Sequence, residues 1–201
     1  MKNLAKAYVD GLKKAYYEIG AEEQWDDFEQ TIYGAAKSDL EKLQGLYPLI
    51  PGSLLQLLGI ADGTYGREYN GKNVMFSFLG SDIEEFPYYL LSAEQMCQDK
   101  ISDWLLHLIN REYADEVEID ERITDKADEM CWLHFSDCWN NGGTSRLYID
   151  FSPSSAGVCG QVVRYLHDPD ELTVIADSFD AYLQMLMENA YDFITEDILD
   201  V

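Results

Sequence analysis

Residues 132–183 read WLHFSDCWNNGGTSRLYIDFSPSSAGVCGQVVRYLHDPDELTVIADSFDAYL, and this stretch decides the fold. Apolar, β-rich runs at 147–151, 161–167 and 172–176 are separated by Asn, Gly, Pro and Asp residues that favour turns. After the third run, Ser178 is suited to cap a helix because its side chain can accept a hydrogen bond from a first-turn amide. The stretch therefore predicts an antiparallel meander that is closed by a helix.

The N-terminal third of the chain carries helical patterns. Apolar residues recur at three- and four-residue spacing in 4–18 and in 23–36, which predicts two amphipathic helices. Ser38 followed by Glu41 matches a capping box and predicts the start of a short third helix. Pro-Gly-Ser at 51–53 precedes a leucine-rich helix, which should be buried because it is apolar on most sides.

The middle of the chain mixes strand and helix signals. An Asn-Gly turn at 70–71 precedes a predicted strand at 73–79, and a short strand is expected at 86–91. A capping-box pattern at 92–95 then predicts a long helix that runs to about Tyr113. The predicted fold class is α+β, with N-terminal helices, a mostly antiparallel sheet with an inserted long helix, and a closing C-terminal helix.

Negative charge dominates the composition. The 201-residue chain has 38 acidic and 14 basic residues and a formal net charge of −24. Such a surface repels nucleic acid and anionic membranes, so neither is expected as a partner. It attracts a basic protein, although an acidic surface also serves solubility alone, and charge does not separate these two interpretations.

Length and cysteine usage indicate a single cytoplasmic domain. A chain of this length can bury one sizeable core. No apolar run approaches the roughly 20 residues needed to cross a bilayer, and the first residues lead into an amphipathic segment rather than a signal peptide. The four cysteines are scattered without paired motifs, as is typical of reduced thiols.

The sequence contains no convincing catalytic, cofactor or metal motif. Cys131, His134 and Cys138 supply fewer than the four ligands of a tetrahedral zinc site, and strand alternation sends Cys131 and His134 to opposite faces. The glycine-containing stretch 157–161 lacks the Lys-Ser/Thr ending of a phosphate loop. Acidic pairs are too abundant to single out an acid–base couple. We therefore predict no catalytic residues, no cofactor and no metal, and not an enzyme.

The ordered motifs resemble the SUKH superfamily, which contains fungal cell-wall assembly regulators and many bacterial immunity proteins. The resemblance rests on W-x-x-F-x-D from Trp132, a strand with Asp150, P-x-x-x-G-x-x-G-Q-V from Pro153, and S-F-x-x-Y-L from Ser178. Upstream, Tyr-Pro-Leu-Ile-Pro at 47–51 with Asp-Gly at 62–63, and the segment 86–96, follow in the same order. The resemblance implies the fold arrangement given above.

On this resemblance the chain divides into parts of one SUKH-like domain, 1–201. Residues 46–187 form its core, 1–45 a helical N-terminal extension, and 188–201 an acidic tail. The acidic residues at 112–129 are interpreted as an insertion, either a solvated loop or helix extension or part of a contact surface.

The resemblance implies a non-enzymatic immunity protein of a polymorphic toxin system, which binds and neutralises a cognate toxin. The acidic surface indicates that this toxin is basic and acts on nucleic acid. The alternative is a regulatory or scaffolding interaction module of the cell-wall assembly regulator type.

Two sets of residues are candidates for partner contact. The acidic and aromatic set is Glu84, Glu85, Tyr88, Tyr89, Asp115, Glu116, Glu118, Asp120 and Glu121. A possible groove is formed by Trp132, Asp137, Trp139, Asp150 and Gln161. Within the groove, Asp150 and Gln161 are either a buried hydrogen-bonded pair or part of a ligand site.

Overall fold

The computed structural model of the chain describes residues 3–82, 86–112, 117–139, 144–167 and 169–196, with Trp139 described by its backbone alone. The α-helices in these ranges are α1 Leu4–Glu18, α2 Glu22–Thr31, α3 Lys37–Leu46, α4 Gly52–Leu58, α5 Ala93–Gln98, α6 Asp103–Ile109 and α7 Phe179–Glu188. None of these helices has the length and apolar character that a membrane crossing requires.

The strands in the same ranges form a small hairpin and a main sheet. They are β1 Arg67–Tyr69, β2 Lys72–Val74, β3 Tyr89–Leu90, β4 Glu118–Ile119, β5 Trp132–Trp139, β6 Thr144–Asp150, β7 Gln161–Leu166 and β8 Glu171–Ala176. The main sheet has the order β3-β5-β6-β7-β8-β4, and its neighbours are antiparallel except for the parallel pair β4 and β8. The predicted α+β class and the predicted three-stranded meander, β6–β8 closed by α7, are confirmed, and β5 pairs beside β6 as a further antiparallel strand.

The N-terminal helices follow the predicted order, with two corrections. α2 ends at Thr31 rather than at 36, because Ile32 has extended backbone with ψ 157°. The predicted capping box of α3 is wrong: Ser38 lies inside the first turn, and the N-cap residue Ala36 makes no side-chain capping bond. α4 begins after Pro51 and buries Leu54, Leu57 and Leu58, as its leucine pattern predicts.

The β1–β2 hairpin confirms the turn signal but shortens the predicted strand. Asn70 and Gly71 have φ angles of 53° and 86°, the left-handed values that a two-residue hairpin turn requires. The second strand ends at Val74. Residues 76–79 instead lie against the N-terminal helices, where Tyr8 donates its hydroxyl to the Phe78 carbonyl at 2.5 Å.

The predicted long helix after Ser92 is two helices, α5 and α6. The capping box of Ser92 and Gln95 starts α5 as predicted. Asp99 then has ψ 144°, which is extended backbone, and Ser102 caps α6 by accepting a hydrogen bond from a first-turn amide. The break separates two packing environments, because α5 buries Met96 in one hydrophobic cluster and α6 packs in another.

The two hydrophobic clusters lie on opposite faces of the main sheet. Leu133, Ile149 and Val162 point toward α1–α5 and α7. Their neighbours alternate, so that Trp132 and Tyr148 point toward α6. This alternation follows from the two-residue side-chain period of a strand, and it explains why the central strands are buried on both faces.

The segment after α7 returns to the first cluster. Tyr191 donates its hydroxyl to the Tyr8 carbonyl at 2.8 Å, and Phe193 and Ile194 are buried. The described part of the acidic tail therefore packs on the first cluster.

Candidate functional site

Several predicted partner-binding residues fall outside the part of the chain that the structure describes. Glu84, Glu85, Asp115 and Glu116 belong to this group, and their role stays a prediction. The same holds for the side chain of Trp139 in the predicted groove.

Tyr88 and Tyr89 are buried. Tyr88 is 1% exposed, and its hydroxyl hydrogen-bonds to Ser145 Oγ. Tyr89 is 5% exposed; its ring centre lies 5.3 Å from that of Tyr65, and its carbonyl accepts a hydrogen bond from Ser136 Oγ at 2.8 Å. The two rings therefore do not form the exposed aromatic patch that the sequence suggested. Any contact that they make with a partner stays a prediction.

The acidic segment, defined here as residues 117–129, is anchored to the main sheet. Its first residues include the edge strand β4. Val117 and Ile123 are buried in the α6 cluster, and Arg111 donates Nη2 to the Ile123 carbonyl at 3.1 Å. Residues 118–119 form an edge of the sheet, and the turns after them are held at Ile123 rather than continuing α6. The interpretation of this stretch as an insertion, with a solvated loop or a contact surface, stays a prediction.

The acidic segment carries more carboxylates than its own cations can pair. Arg122 Nη2 lies 2.5 Å from Asp120 Oδ2, and Lys126 Nζ lies 3.0 Å from Glu129 Oε1. Four further carboxylates are exposed and form no salt bridge with any residue that the structure describes: Glu118, Glu121, Asp125 and Asp128. The segment therefore presents uncompensated negative charge to solvent.

A cleft of about 550 Å³ separates the acidic segment from the β6–β7 loop. Its polar lining includes Arg111, Glu121, Thr124, Asp125, Lys126, Glu129, Ser154 and Ser155. Carboxylates and hydroxyls at its rim suit hydrogen bonding to the cationic side chains of a protein partner.

Asp150 and Gln161 form a buried hydrogen-bonded pair, which decides between the two interpretations of these residues. Gln161 Nε2 donates to Asp150 Oδ2 at 3.0 Å and to the Arg122 carbonyl at 3.1 Å, while its Oε1 accepts from the Val158 amide at 3.0 Å. Asp150 Oδ1 also accepts from the Ser152 amide at 2.7 Å. Burial raises the pKa of Asp150, and the donated hydrogen bonds partly oppose this rise. The pair ties β6 and β7 to the acidic segment.

Trp132 and Asp137, on the same strand, have different surroundings. Trp132 is 3% exposed, and its ring centre lies 5.3 Å from that of Tyr148. Asp137 is partly exposed; its Oδ2 lies 3.8 Å from Arg146 Nε, and its Oδ1 accepts from the Cys138 amide at 2.9 Å. Burial raises the pKa of the Asp137 carboxyl. Of the predicted groove residues whose side chains are described, Asp137 alone reaches solvent appreciably.

A contact beside Asp137 was missed by the sequence reasoning. His134 is 4% exposed, and its Nδ1 lies 3.2 Å from Asp99 Oδ2, in an ion-pair arrangement that is not aligned for a hydrogen bond. His134 Nε2 lies 3.0 Å from the Ser136 carbonyl oxygen, and the His134 ring centre lies 4.9 Å from that of Tyr148, with the two rings tilted by 30°. No spacing pattern connects Asp99 to His134, because the break between α5 and α6 brings them together.

The thiols and metal-ligating groups show no reactive arrangement in the described part of the chain. Burial raises the pKa of Cys97, Cys131 and Cys138, and the Asp82 carboxyl raises that of Cys138 further, so these thiols stay protonated near neutral pH. Among the described residues, no three His, Cys, Asp or Glu side chains converge as a metal site.

These features, a mostly antiparallel sheet between two cores with an acidic edge, agree with what a comparison with known families finds. The profile of the SMI1/KNR4 family (SUKH-1) matches residues 34–185, which is most of the chain. The chain therefore belongs to the SMI1/KNR4 family. Comparison with curated proteins gives no match.

Proposed function

We propose that this chain is a non-enzymatic immunity protein that neutralises a basic protein toxin by direct binding, with the acidic segment 117–129 as its main contact surface. Membership of the SMI1/KNR4 family supports a protein-interaction domain. The observation that carries the proposal is the separation of charge: the arginines contact internal oxygen atoms, whereas Glu118, Glu121, Asp125 and Asp128 of the acidic segment face solvent without a salt bridge to any described residue.

Every arginine of the chain contacts an internal oxygen. The partners are Asp62 for Arg67, the Ile109 and Ile123 carbonyls for Arg111, Asp120 and the Val174 carbonyl for Arg122, Asp137 for Arg146, and Glu171 for Arg164. Arginine is the side chain best suited to bidentate phosphate recognition, so its use inside the protein disfavours binding to nucleic acid. A basic protein meets mainly carboxylates.

Electrostatic attraction of this kind speeds association and aligns the two partners. A basic toxin that acts on nucleic acid needs a cationic cleft to hold phosphates. Because the acidic segment is fixed to β8 and to the β6–β7 loop, it can cover such a cleft with little loss of conformational entropy. Blocking the cleft requires no chemistry.

The proposal is tested by capturing the partner from lysate of the source cells at low salt and eluting it in salt steps. The captured protein is then expressed alone and together with this chain. We expect a basic protein that is toxic alone and harmless when co-expressed. Its affinity should fall about tenfold or more as salt rises to physiological strength and above, because exposed charges are screened beyond roughly 8–10 Å.

Two variants with the same change in net charge locate the contact. The first replaces the four unpaired carboxylates of the acidic segment by amides: E118Q, E121Q, D125N and D128N. The control makes an equal change at exposed residues elsewhere: E18Q, E22Q, E23Q and E68Q. Loss of protection in the first variant alone supports the contact surface. Equal losses contradict it, and several weak non-toxic partners would instead support a regulatory module.

A further inference from the structure

Strand β8 is longer than the strand that covers its outer edge. β4 pairs only with Glu171 and Leu172, the first two residues of β8. The rest of β8, residues 173–176, pairs with β7 on its inner side and with no other described strand on its outer side. An uncovered edge of this kind presents backbone donors and acceptors that another strand can use.

The outward backbone groups of Val174 are occupied by side chains. The Val174 amide donates to Asp120 Oδ2 at 3.3 Å, and the Val174 carbonyl accepts from Arg122 Nη2 at 3.0 Å. Asp120 follows β4 directly and Arg122 lies two residues further on, so both side chains reach the part of the β8 edge that a longer β4 would cover. Their side chains replace the hydrogen bonds of that missing strand.

The two side chains are held together as well as to β8. Arg122 Nε donates to Asp120 Oδ1 and Oδ2 at 3.0 and 3.2 Å, and the Arg122 amide donates to Asp120 Oδ1 at 2.9 Å. The hydrogen bonds from Arg122 lower the pKa of Asp120 to about 2, so that its carboxylate is ionised near neutral pH.

The backbone of this turn is also fixed from the other side. The Arg122 carbonyl accepts from the Ser154 amide at 3.0 Å and from Gln161 Nε2 at 3.1 Å. Gly157 permits this approach, since a Cβ there would lie 2.5 Å from the Arg122 carbonyl oxygen. The ion pair is therefore positioned rigidly.

We propose that the Asp120–Arg122 ion pair closes the outer edge of β8 against strand addition, and that its removal lets residues 173–176 pair with the same edge of a second copy of the chain. Two identical edges can meet antiparallel about a two-fold axis, so a second copy supplies a complementary strand without any other partner. Proteins commonly block edges with charged side chains for this reason. Asp120 thus serves the fold, which removes it from the set of carboxylates available to a partner.

The test compares self-association of the purified full chain with that of D120A/R122A, by sedimentation equilibrium over a wide range of concentration. Hydrogen exchange at the Val174 amide is measured in the same samples. The control is Glu121→Ala, which removes the exposed carboxylate between the two residues without touching β8. Asp120→Asn is a conservative second variant, because its amide oxygen can still accept from Val174.

We expect D120A/R122A to self-associate about tenfold or more tightly than the wild type, because residues 173–176 of the two copies can then form new backbone hydrogen bonds. The Val174 amide should exchange faster than wild type in dilute samples and become protected as association proceeds. Asp120→Asn should be intermediate, and Glu121→Ala should match the wild type. Unchanged association with unchanged exchange overturns the proposal. Association of D120A/R122A or Asp120→Asn without protection of the Val174 amide also overturns the proposal. Neither of these two outcomes depends on the identity of a toxin.

Discussion

Replacing Gln161 by leucine tests whether the buried network, rather than apolar packing, joins the meander to the acidic segment. The Gln161 side chain is 1% exposed and makes three hydrogen bonds, to Asp150, to the Arg122 carbonyl and from the Val158 amide. Leucine is of similar size, so it leaves little cavity. The expected change in stability therefore comes almost entirely from the lost hydrogen bonds.

The expected loss of stability depends on which hydrogen bonds each former partner of Gln161 retains. Val158 is exposed, so water can replace the lost acceptor of its amide, and this loss costs about 0.5–1.5 kcal/mol. Asp150 retains the Ser152 donors but loses a hydrogen bond to a charged group, which contributes about 1.5–3 kcal/mol. The Arg122 carbonyl still accepts a hydrogen bond from the Ser154 amide, so losing the bond from Gln161 costs less there. We expect a total of about 2–5 kcal/mol, a large part of the 5–15 kcal/mol that stabilises a typical domain.

The free energy of unfolding is measured by urea denaturation for the wild type, Gln161→Leu and a control, Gln184→Leu. Gln184 is exposed on α7, so the same substitution there removes no buried hydrogen bond. The control should differ from the wild type by no more than about 0.5 kcal/mol. A loss below about 1 kcal/mol in Gln161→Leu, equal to that of the control, would refute the reasoning.

The pH dependence of stability gives a second readout of the same network. Burial raises the folded-state pKa of Asp150 above its ordinary value near 3.9, so the folded protein holds this proton more tightly than the unfolded chain. The resulting stability is fully present below about pH 3.9 and is lost as pH rises through the folded pKa. The hydrogen bond from Gln161 lowers that pKa. Gln161→Leu should therefore extend the loss to higher pH, and the gap from the wild type should widen as pH rises from about 4.

Three further substitutions test local features of the fold, each by thermal or urea denaturation. Ser178→Ala removes the side-chain cap of α7 and should cost about 1 kcal/mol, whereas no effect would exclude a capping role. Gly63→Ala should cost more than Gly71→Ala: both have positive φ, worth about 1 kcal/mol, but only at Gly63 does a Cβ meet backbone atoms, at 2.6 Å. Equal losses would contradict this. Tyr182→Phe leaves the buried Leu79 carbonyl without its hydroxyl donor and should cost about 1–3 kcal/mol, and a neutral result would show that the bond contributes nothing net.

Local chemistry made the meander and its closing helix predictable. The Asn-Gly turn and the caps at Ser92 and Ser178 act over three or four residues, and each occurs where the sequence places it. The break at Asp99 was not predictable, because apolar residues continue at helical spacing across it. The two halves bury their apolar faces on opposite sides of the sheet, and this partition depends on packing.

The candidate site was predictable only in part. An acidic surface follows from composition, and the acidic segment was identified from its charge. Its attachment to β8 could not be read from the chain, since Asp120 and Val174 are far apart in sequence and their contact depends on a parallel edge strand of two residues. The burial of Tyr88 could not be predicted either, because its hydroxyl contacts Ser145, which is also far from it in sequence.

The sequence by itself therefore determined the fold class and the sign of the surface charge, because periodicity, caps and composition act locally or over the whole chain. The family followed from the resemblance of its ordered motifs. The tertiary structure decided which charges meet each other and which meet solvent. Arg122 and Asp120 form hydrogen bonds to the backbone at the edge of β8, while Glu118 and Glu121 beside them stay exposed. That distinction depends on which distant backbone lies within hydrogen-bond reach, and only the packed sheet brings it there.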